Sequence, residues 1–246
     1  MNSAPILALV TGANRGIGLH IVDQLAHRDA KVYLAARDVQ QGRAAAQTLT
    51  RQGLDVDVIE LDVTDPASVR TAANHVAEVD DRLDILVNNA AITSGLDPAS
   101  TMTTSDLRRT FDTNVFGVAA VTNAFLPLLR RSRSARIVNV SSAMGSIALM
   151  ADPSIEVTKR NQAAYQASKA ALNALTVLYA NELRDAGVKV NAVCPGYRAT
   201  GLNGGLPTPG AGDPAQGATV AVEMAMIGDD GPTAQFVGDT GDTYPW

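Results

Sequence analysis

The 246 residues include one cysteine, Cys194, so no disulfide can form within the chain, and its thiol fits a reducing compartment. Basic residues are in the minority. Twenty lysines and arginines against 25 aspartates and glutamates give a net charge of -5, and the pI is near 5.1. Without a basic excess there is no surface to neutralise phosphates, which excludes a nucleic-acid partner. The three histidines, His20, His27 and His75, form no ligand-like cluster with cysteines or carboxylates, so no metal site is expected. Long apolar runs are missing too. The most apolar stretch, Val115 to Leu129, carries Thr122, Asn123 and Pro127 and is shorter than the roughly 20 residues that span a bilayer. Met1 to Pro5 lacks the basic-then-apolar pattern of a signal peptide. These absences predict a cytoplasmic protein with neither membrane nor nucleic acid as partner. No internal repeat, linker or low-complexity segment divides the chain, so residues 1–246 read as a single domain.

What is present is a regular alternation. Short apolar runs at Ile6 to Thr11, Lys31 to Ala36, Asp55 to Leu61, Leu83 to Val87, Ile137 to Val140, Val188 to Val193 and Gln235 to Val237 read as strands. Helical patterns separate them: one opening with Ile17, Ile21 and Leu25, then Asp38 to Gln52, Pro66 to Val79, Thr104 to Leu129, Gln162 to about Ala186, and Pro214 to Met226. Strands alternating with helices predict a Rossmann-type α/β fold, a doubly wound parallel sheet of about seven strands flanked by helices. Ligands of such sheets gather at the C-terminal ends of the strands.

The unusual residues fall at those ends. After the first strand comes Gly12-Ala13-Asn14-Arg15-Gly16-Ile17-Gly18. Glycines let the backbone turn sharply and approach a pyrophosphate, and the helix that follows offers free N–H groups and the positive end of its dipole. The spacing is Gly-x3-Gly-x-Gly, unlike the generic dinucleotide fingerprint. The second strand ends at Arg37-Asp38. A basic residue at this point accommodates a 2′-phosphate, and Arg37 with Arg15 favours NADP(H), although either can be a solvated charge. Asp38 can point elsewhere or cap the next helix. Asp62-Val63 ends the third strand; Asp62 can accept from an adenine amino group or cap a helix, a role that Thr64 or Asp65 can fill instead. Asn88-Asn89-Ala90-Ala91 ends the fourth, where side-chain amides can tie loops together. Asn114 interrupts an apolar helical stripe of Leu107, Phe111, Val115 and Val118. Buried, it must have its hydrogen bonds met, either by holding a water or by bonding to backbone alone. Ser141-Ser142 ends the fifth strand, and Cys194-Pro195-Gly196 ends the sixth, with Cys194 read as a small core residue.

Tyr165 and Lys169 stand four apart in a helical stretch and so share one face. An ammonium beside a phenol favours the phenolate and lowers its pKa, which would make Tyr165 a proton donor or acceptor near neutral pH.

In this order, the motifs resemble those of the short-chain dehydrogenase/reductase family over nearly the whole chain. Thr11 to Gly18 resembles its cofactor motif, Asp62-Val63 its adenine contact, and Asn88 to Ala91 its structural motif, with alanine for the final glycine. Asn114, Ser142, Tyr165 and Lys169 match its catalytic tetrad, and Pro195-Gly196 with Thr200 its nicotinamide-side segment. The resemblance implies NADP(H) bound through Gly12, Asn14, Arg15, Gly16, Ile17, Gly18, Arg37, Asp62, Val63, Asn89, Tyr165, Lys169, Pro195, Gly196 and Thr200. It implies reduction of a small-molecule ketone or aldehyde, with Tyr165 as general acid, Ser142 holding the oxygen, Lys169 acidifying Tyr165 and Asn114 holding a relay water. A ketoreductase or alcohol dehydrogenase for one metabolite, and a dinucleotide sensor without turnover, are the alternatives.

Ser142 and Tyr165 stand 23 positions apart, wider than the family's usual spacing. The extra residues, 148–160, resemble an insertion found in its carbonyl reductases, as do Arg37, the Cys194-to-Tyr197 run and the closing Phe236, Pro245 and Trp246. The insertion precedes a helix the family uses for subunit contacts, which leaves monomer and homo-oligomer both open. Residues 197–214, rich in glycine and proline, read as a mobile substrate loop.

Overall fold

A computed structural model describes residues 5–156, 161–203 and 209–246. Seven strands form one sheet: β1 (Ile6–Thr11), β2 (Ala30–Ala36), β3 (Val56–Glu60), β4 (Ile85–Asn88), β5 (Arg136–Val140), β6 (Lys189–Val193) and β7 (Phe236–Val237). Their spatial order is β3-β2-β1-β4-β5-β6-β7, every neighbouring pair parallel. The order reverses between β1 and β4, so the two halves of the chain diverge there and leave a crevice at the strands' C-terminal ends.

Strand residues alternate between two apolar layers, as a pleated sheet covered on both faces requires. Ala8, Val10, Val32 and Leu34 face one layer, with Ile21, Val22 and Leu25 of α1 (Gly16–Ala26), Ala46 and Leu49 of α2 (Val39–Arg51), and Ala218, Ala221 and Val222 of a later helix, Pro214–Ala225. Leu7, Leu9 and Leu86 face the other, with Val69, Ala72 and Val76 of α3 (Pro66–Val79), and with Val121, Phe125 and Leu128. Asp38 and Asp65 cap α2 and α3 by accepting backbone N–H bonds, which settles both open readings of those residues.

The continuous helix expected over Thr104 to Leu129 is three pieces: α4 (Thr104–Phe111), a π-helical stretch Asp112–Gly117, and α5 (Val118–Leu129). Asn114, Val115 and Gly117 of this stretch are buried. π turns of this kind are frequent at functional sites. Leu107 and Phe111 are only half-buried; Thr110 is the buried residue of α4. Beyond β5 lie α6 (Ile147–Met150), the long α7 (Ala163–Glu182), and α8, the Pro214–Ala225 helix already placed. Among the described residues no helix is long and apolar enough to cross a membrane.

Candidate active site

The glycine turn follows β1 at the point where the strand order reverses. Gly12 has φ +61° and Gly16 φ +57°, in the left-handed region that glycine tolerates. Gly18 answers a different need: a Cβ there would lie 2.4 Å from Asn89 Nδ2 and 2.8 Å from the Gly12 carbonyl. The turn is therefore locked against the loop after β4. Asn89 Nδ2 donates to the carbonyls of Thr11 (2.8 Å) and Gly12 (3.1 Å), and Thr11 Oγ1 accepts from the N–H groups of Asn89 and Ala90. Asn88 Nδ2 reaches Asn139 Oδ1 at 2.9 Å, tying β4 to β5. Helix α1 begins after Arg15 with no side-chain cap and no acid in its first turn, whereas α2, α3 and α8 are each capped by an aspartate. Its leading N–H groups are left to an anionic ligand. The cradle thus fits a dinucleotide pyrophosphate.

Around it stand the other cofactor candidates. Arg37 is exposed at the end of β2, and Asn14 Nδ2 donates to Gln41 Oε1 at the start of α2. Asp62 is half-buried and accepts from the N–H and hydroxyl of Thr64. The Arg15 guanidinium lies against Gly201, and Gly16 faces Thr200, which brings the loop after β6 over the glycine turn. Arg198 anchors that loop: its Nε donates to the Pro195 carbonyl at 2.6 Å and its guanidinium pairs with Asp239. Residues 204–208 of the expected mobile loop, and residues 157–160 of the expected insertion, lie outside the described residues. The described base of the loop is paired through Arg198 and Gly212.

The four tetrad candidates converge. Tyr165, 7% exposed, and Lys169, 2% exposed, lie on the inner face of α7. The Tyr165 phenol stands close enough to Ser142, just beyond the end of β5, for that side chain to favour its ionised form. Lys169 Nζ donates to the Val140 carbonyl at 2.7 Å and lies 5.6 Å from the centre of the Tyr165 ring. Asn114 is fully buried, and it is not bonded to backbone alone. Its amide exchanges two hydrogen bonds with the Ile92 backbone, each 2.9 Å, and donates a third to Ser168 Oγ at 3.0 Å. Ser168 passes its own proton to the Tyr165 carbonyl at 2.7 Å.

One electrostatic expectation is corrected. Burial pushes the Tyr165 phenol well above its usual value, the thiol of Cys194 adds to the rise, and the nearby Ser142 side chain opposes it. The Lys169 ammonium is itself disfavoured by burial, and its pKa falls to about 8. A lysine whose ammonium is turned to the Val140 carbonyl acidifies a phenol less than a charge held beside the hydroxyl would.

Sequence reasoning missed two residues here. Ser168 links Asn114 to the Tyr165 backbone. Cys194, read as a small core residue, is buried and also accepts an N–H bond from Ala143 at 3.2 Å, joining the segments that follow β5 and β6. Its place just before Pro195-Gly196 was the available signal. Among the described residues no group of three histidine, cysteine or acidic side chains is placed to hold a metal.

Comparison with known proteins places this geometry. The family model for short chain dehydrogenases matches residues 7–209. Carbonyl reductase [NADPH] 1 of Sus scrofa is 34% identical, with 100% of this chain and 99% of that protein covered. The short-chain dehydrogenase anuI of Penicillium roqueforti is 38% identical over 81% of each chain. The NADPH-bound carbonyl reductase from chicken fatty liver superposes with a TM-score of 0.86 at 27% identity, covering 99% of this chain and 100% of the other.

Proposed function

The chain belongs to the short-chain dehydrogenase family, and from that premise we propose that it is an NADPH-dependent carbonyl reductase, converting a ketone or aldehyde to an alcohol. The observation that carries the reading is the convergence of Ser142, Tyr165 and Lys169 at the same end of the sheet as the uncapped glycine turn. The cofactor, when bound, supplies the hydride that adds to the carbonyl carbon.

The chain's own residues do the rest. Gly12, Gly16 and Gly18 admit the pyrophosphate to the first turn of α1, and Asn14 and Ile17 complete that turn. Arg15 and Arg37 read the 2′-phosphate, while Asp62 and Val63 flank the adenine. Pro195, Gly196 and Thr200 close over the nicotinamide side, and Asn89 holds the glycine turn in register. Ser142 donates to the carbonyl oxygen and keeps it in line with the Tyr165 hydroxyl. As negative charge grows on that oxygen, the Tyr165 O–H bond breaks and its proton forms the alcohol O–H. The raised pKa of Tyr165 keeps the phenol protonated and ready for this direction of reaction. Lys169 binds the nicotinamide ribose and returns a proton to Tyr165. The lone pair of Asn114 Oδ1 not taken by Ile92 N–H holds the water that feeds Lys169.

The test is the rate of NADPH and NADH oxidation against a panel of ketones and aldehydes. Turnover with NADPH preferred is the expected result. Tight cofactor binding without oxidation by any carbonyl would replace the enzyme with a dinucleotide sensor.

A further inference from the structure

Beyond β7 the chain doubles back on itself. The Gly238 N–H donates to the Asp242 carbonyl at 2.8 Å and the Tyr244 N–H to the Phe236 carbonyl at 2.7 Å. Two aromatic rings then close on Phe236: Tyr244 edge-on at 5.5 Å, and Trp246 stacked at 5.6 Å with planes 19° apart. All three pack with Ala192, Cys194 and Ala143, directly behind the loop that carries Ser142. Here the tail turns two carbonyls toward the segment after Ser142. Pro245 accepts from Ser146 Oγ at 2.6 Å, and Trp246 accepts from the Ala148 N–H at 3.0 Å.

Those two bonds grip α6 at its start. Ser146 is fully buried and also caps α6, accepting from the Leu149 N–H at 3.1 Å. A helix of one turn has too few internal bonds to hold itself, so its position is set by what grips it. The side chains α6 presents are apolar. Ile147 is 65% exposed, and Leu149 and Met150 are half-buried. This lip stands in the chain between Ser142 and Tyr165, the two hydroxyls that take the carbonyl oxygen, and follows Ser142 by a single turn of 3-10 helix, Ala143–Gly145.

On the carbonyl-reductase reading of this site, we infer that residues Tyr244–Trp246 determine substrate selectivity. They position α6 so that Ile147 and its neighbours form an apolar wall for one substituent of the carbonyl. The wall suits an aryl or long alkyl group and gives a small substituent nothing to pack against. Ser146 and Trp246 are positioning residues; Ile147 is the contact.

The experiment measures kcat and KM for an aryl ketone and for acetone, with the dissociation constant of NADPH, in Ser146→Ala, Trp246→Ala, their double variant and Ile147→Ala. Each single change is expected to lower the preference for the aryl ketone about tenfold, the discrimination that one or two methylene-sized contacts provide. The loss should appear in KM, with NADPH affinity unchanged. The double variant should lose no more than one single change, because Ser146 and Trp246 act through the same grip. Ile147→Ala alters an exposed side chain and leaves folding intact, so an unchanged preference in that variant overturns the inference. Fully additive losses in the double variant overturn the shared grip. A wild-type protein that reduces no carbonyl removes the proposed function and this inference with it; wild-type turnover with an unchanged preference in all variants removes this inference alone.

Discussion

Lys169 Nζ lies 5.6 Å from the centre of the Tyr165 ring and donates a hydrogen bond to the Val140 carbonyl, in a buried position where desolvation disfavours its charge. The two side chains expected to work as an acid and its activator are neighbours, yet each has its charged form suppressed by burial. The consequence is a pH dependence set by lysine rather than by tyrosine.

The profile of kcat/KM for carbonyl reduction should be level below pH about 8 and fall above it as Lys169 loses its proton. Stability moves the opposite way. The folded pKa, about 8, is below the unfolded 10.5, so the unfolded chain holds more protons between those values. The cost of burying the ammonium is fully present below the window, and stability rises with pH across it. Urea midpoints from pH 7 to 10 should show this rise in the wild type and lack it in Lys169→Met.

Tyr165→Phe removes the transferable proton and leaves the ring, which is 7% exposed and packed on α7. The value of kcat should fall about 10²- to 10⁴-fold, the usual contribution of a positioned acid. NADPH affinity, read by fluorescence titration, should stay within about fivefold, since one hydrogen bond of roughly 1 kcal/mol is the most it loses. Near-wild-type turnover would remove Tyr165 as the proton donor.

Arg37→Ala takes away an exposed guanidinium at the end of β2. A hydrogen bond to a charged group contributes about 1.5–3 kcal/mol, so the dissociation constant of NADPH should rise about 10- to 100-fold. NADH, which has no 2′-phosphate, should bind almost as before. An equal loss for both cofactors would show that Arg37 does not read the phosphate.

Gly18→Ala reverses a common expectation. In an ordinary helix interior the change stabilises by about 1 kcal/mol. Here the new methyl would meet Asn89 Nδ2 at 2.4 Å and the Gly12 carbonyl at 2.8 Å. Overpacking of this kind costs about 1–3 kcal/mol, enough to lower Tm by several degrees. NADPH affinity should fall with it, because the glycine turn must shift. Calorimetry of the cofactor-free variant and a binding titration check the two parts separately, and a raised Tm would refute the close packing.

The alternation of apolar runs and helical patterns determined the parallel sheet almost residue by residue: β1 and α3 have the bounds read from the chain, and the other strands differ by a residue or two at their ends. Such features are legible because each is local: a strand buried on both faces has to be apolar throughout, and a helix on such a sheet has to repeat its apolar face every turn. The glycine turn, Ser142, Tyr165 and Lys169 were legible for the same reason, since each stands at a strand end or on one helical face. What the sequence could not supply was anything that depends on contacts between distant segments. The π turn at Asn114 arises where that side chain meets Ile92 and Ser168, and the roles of Cys194 and Trp246 come from loops folded onto them. Burial decided the charge states of Tyr165 and Lys169, because desolvation is fixed by everything packed around a group and not by its neighbours in the chain.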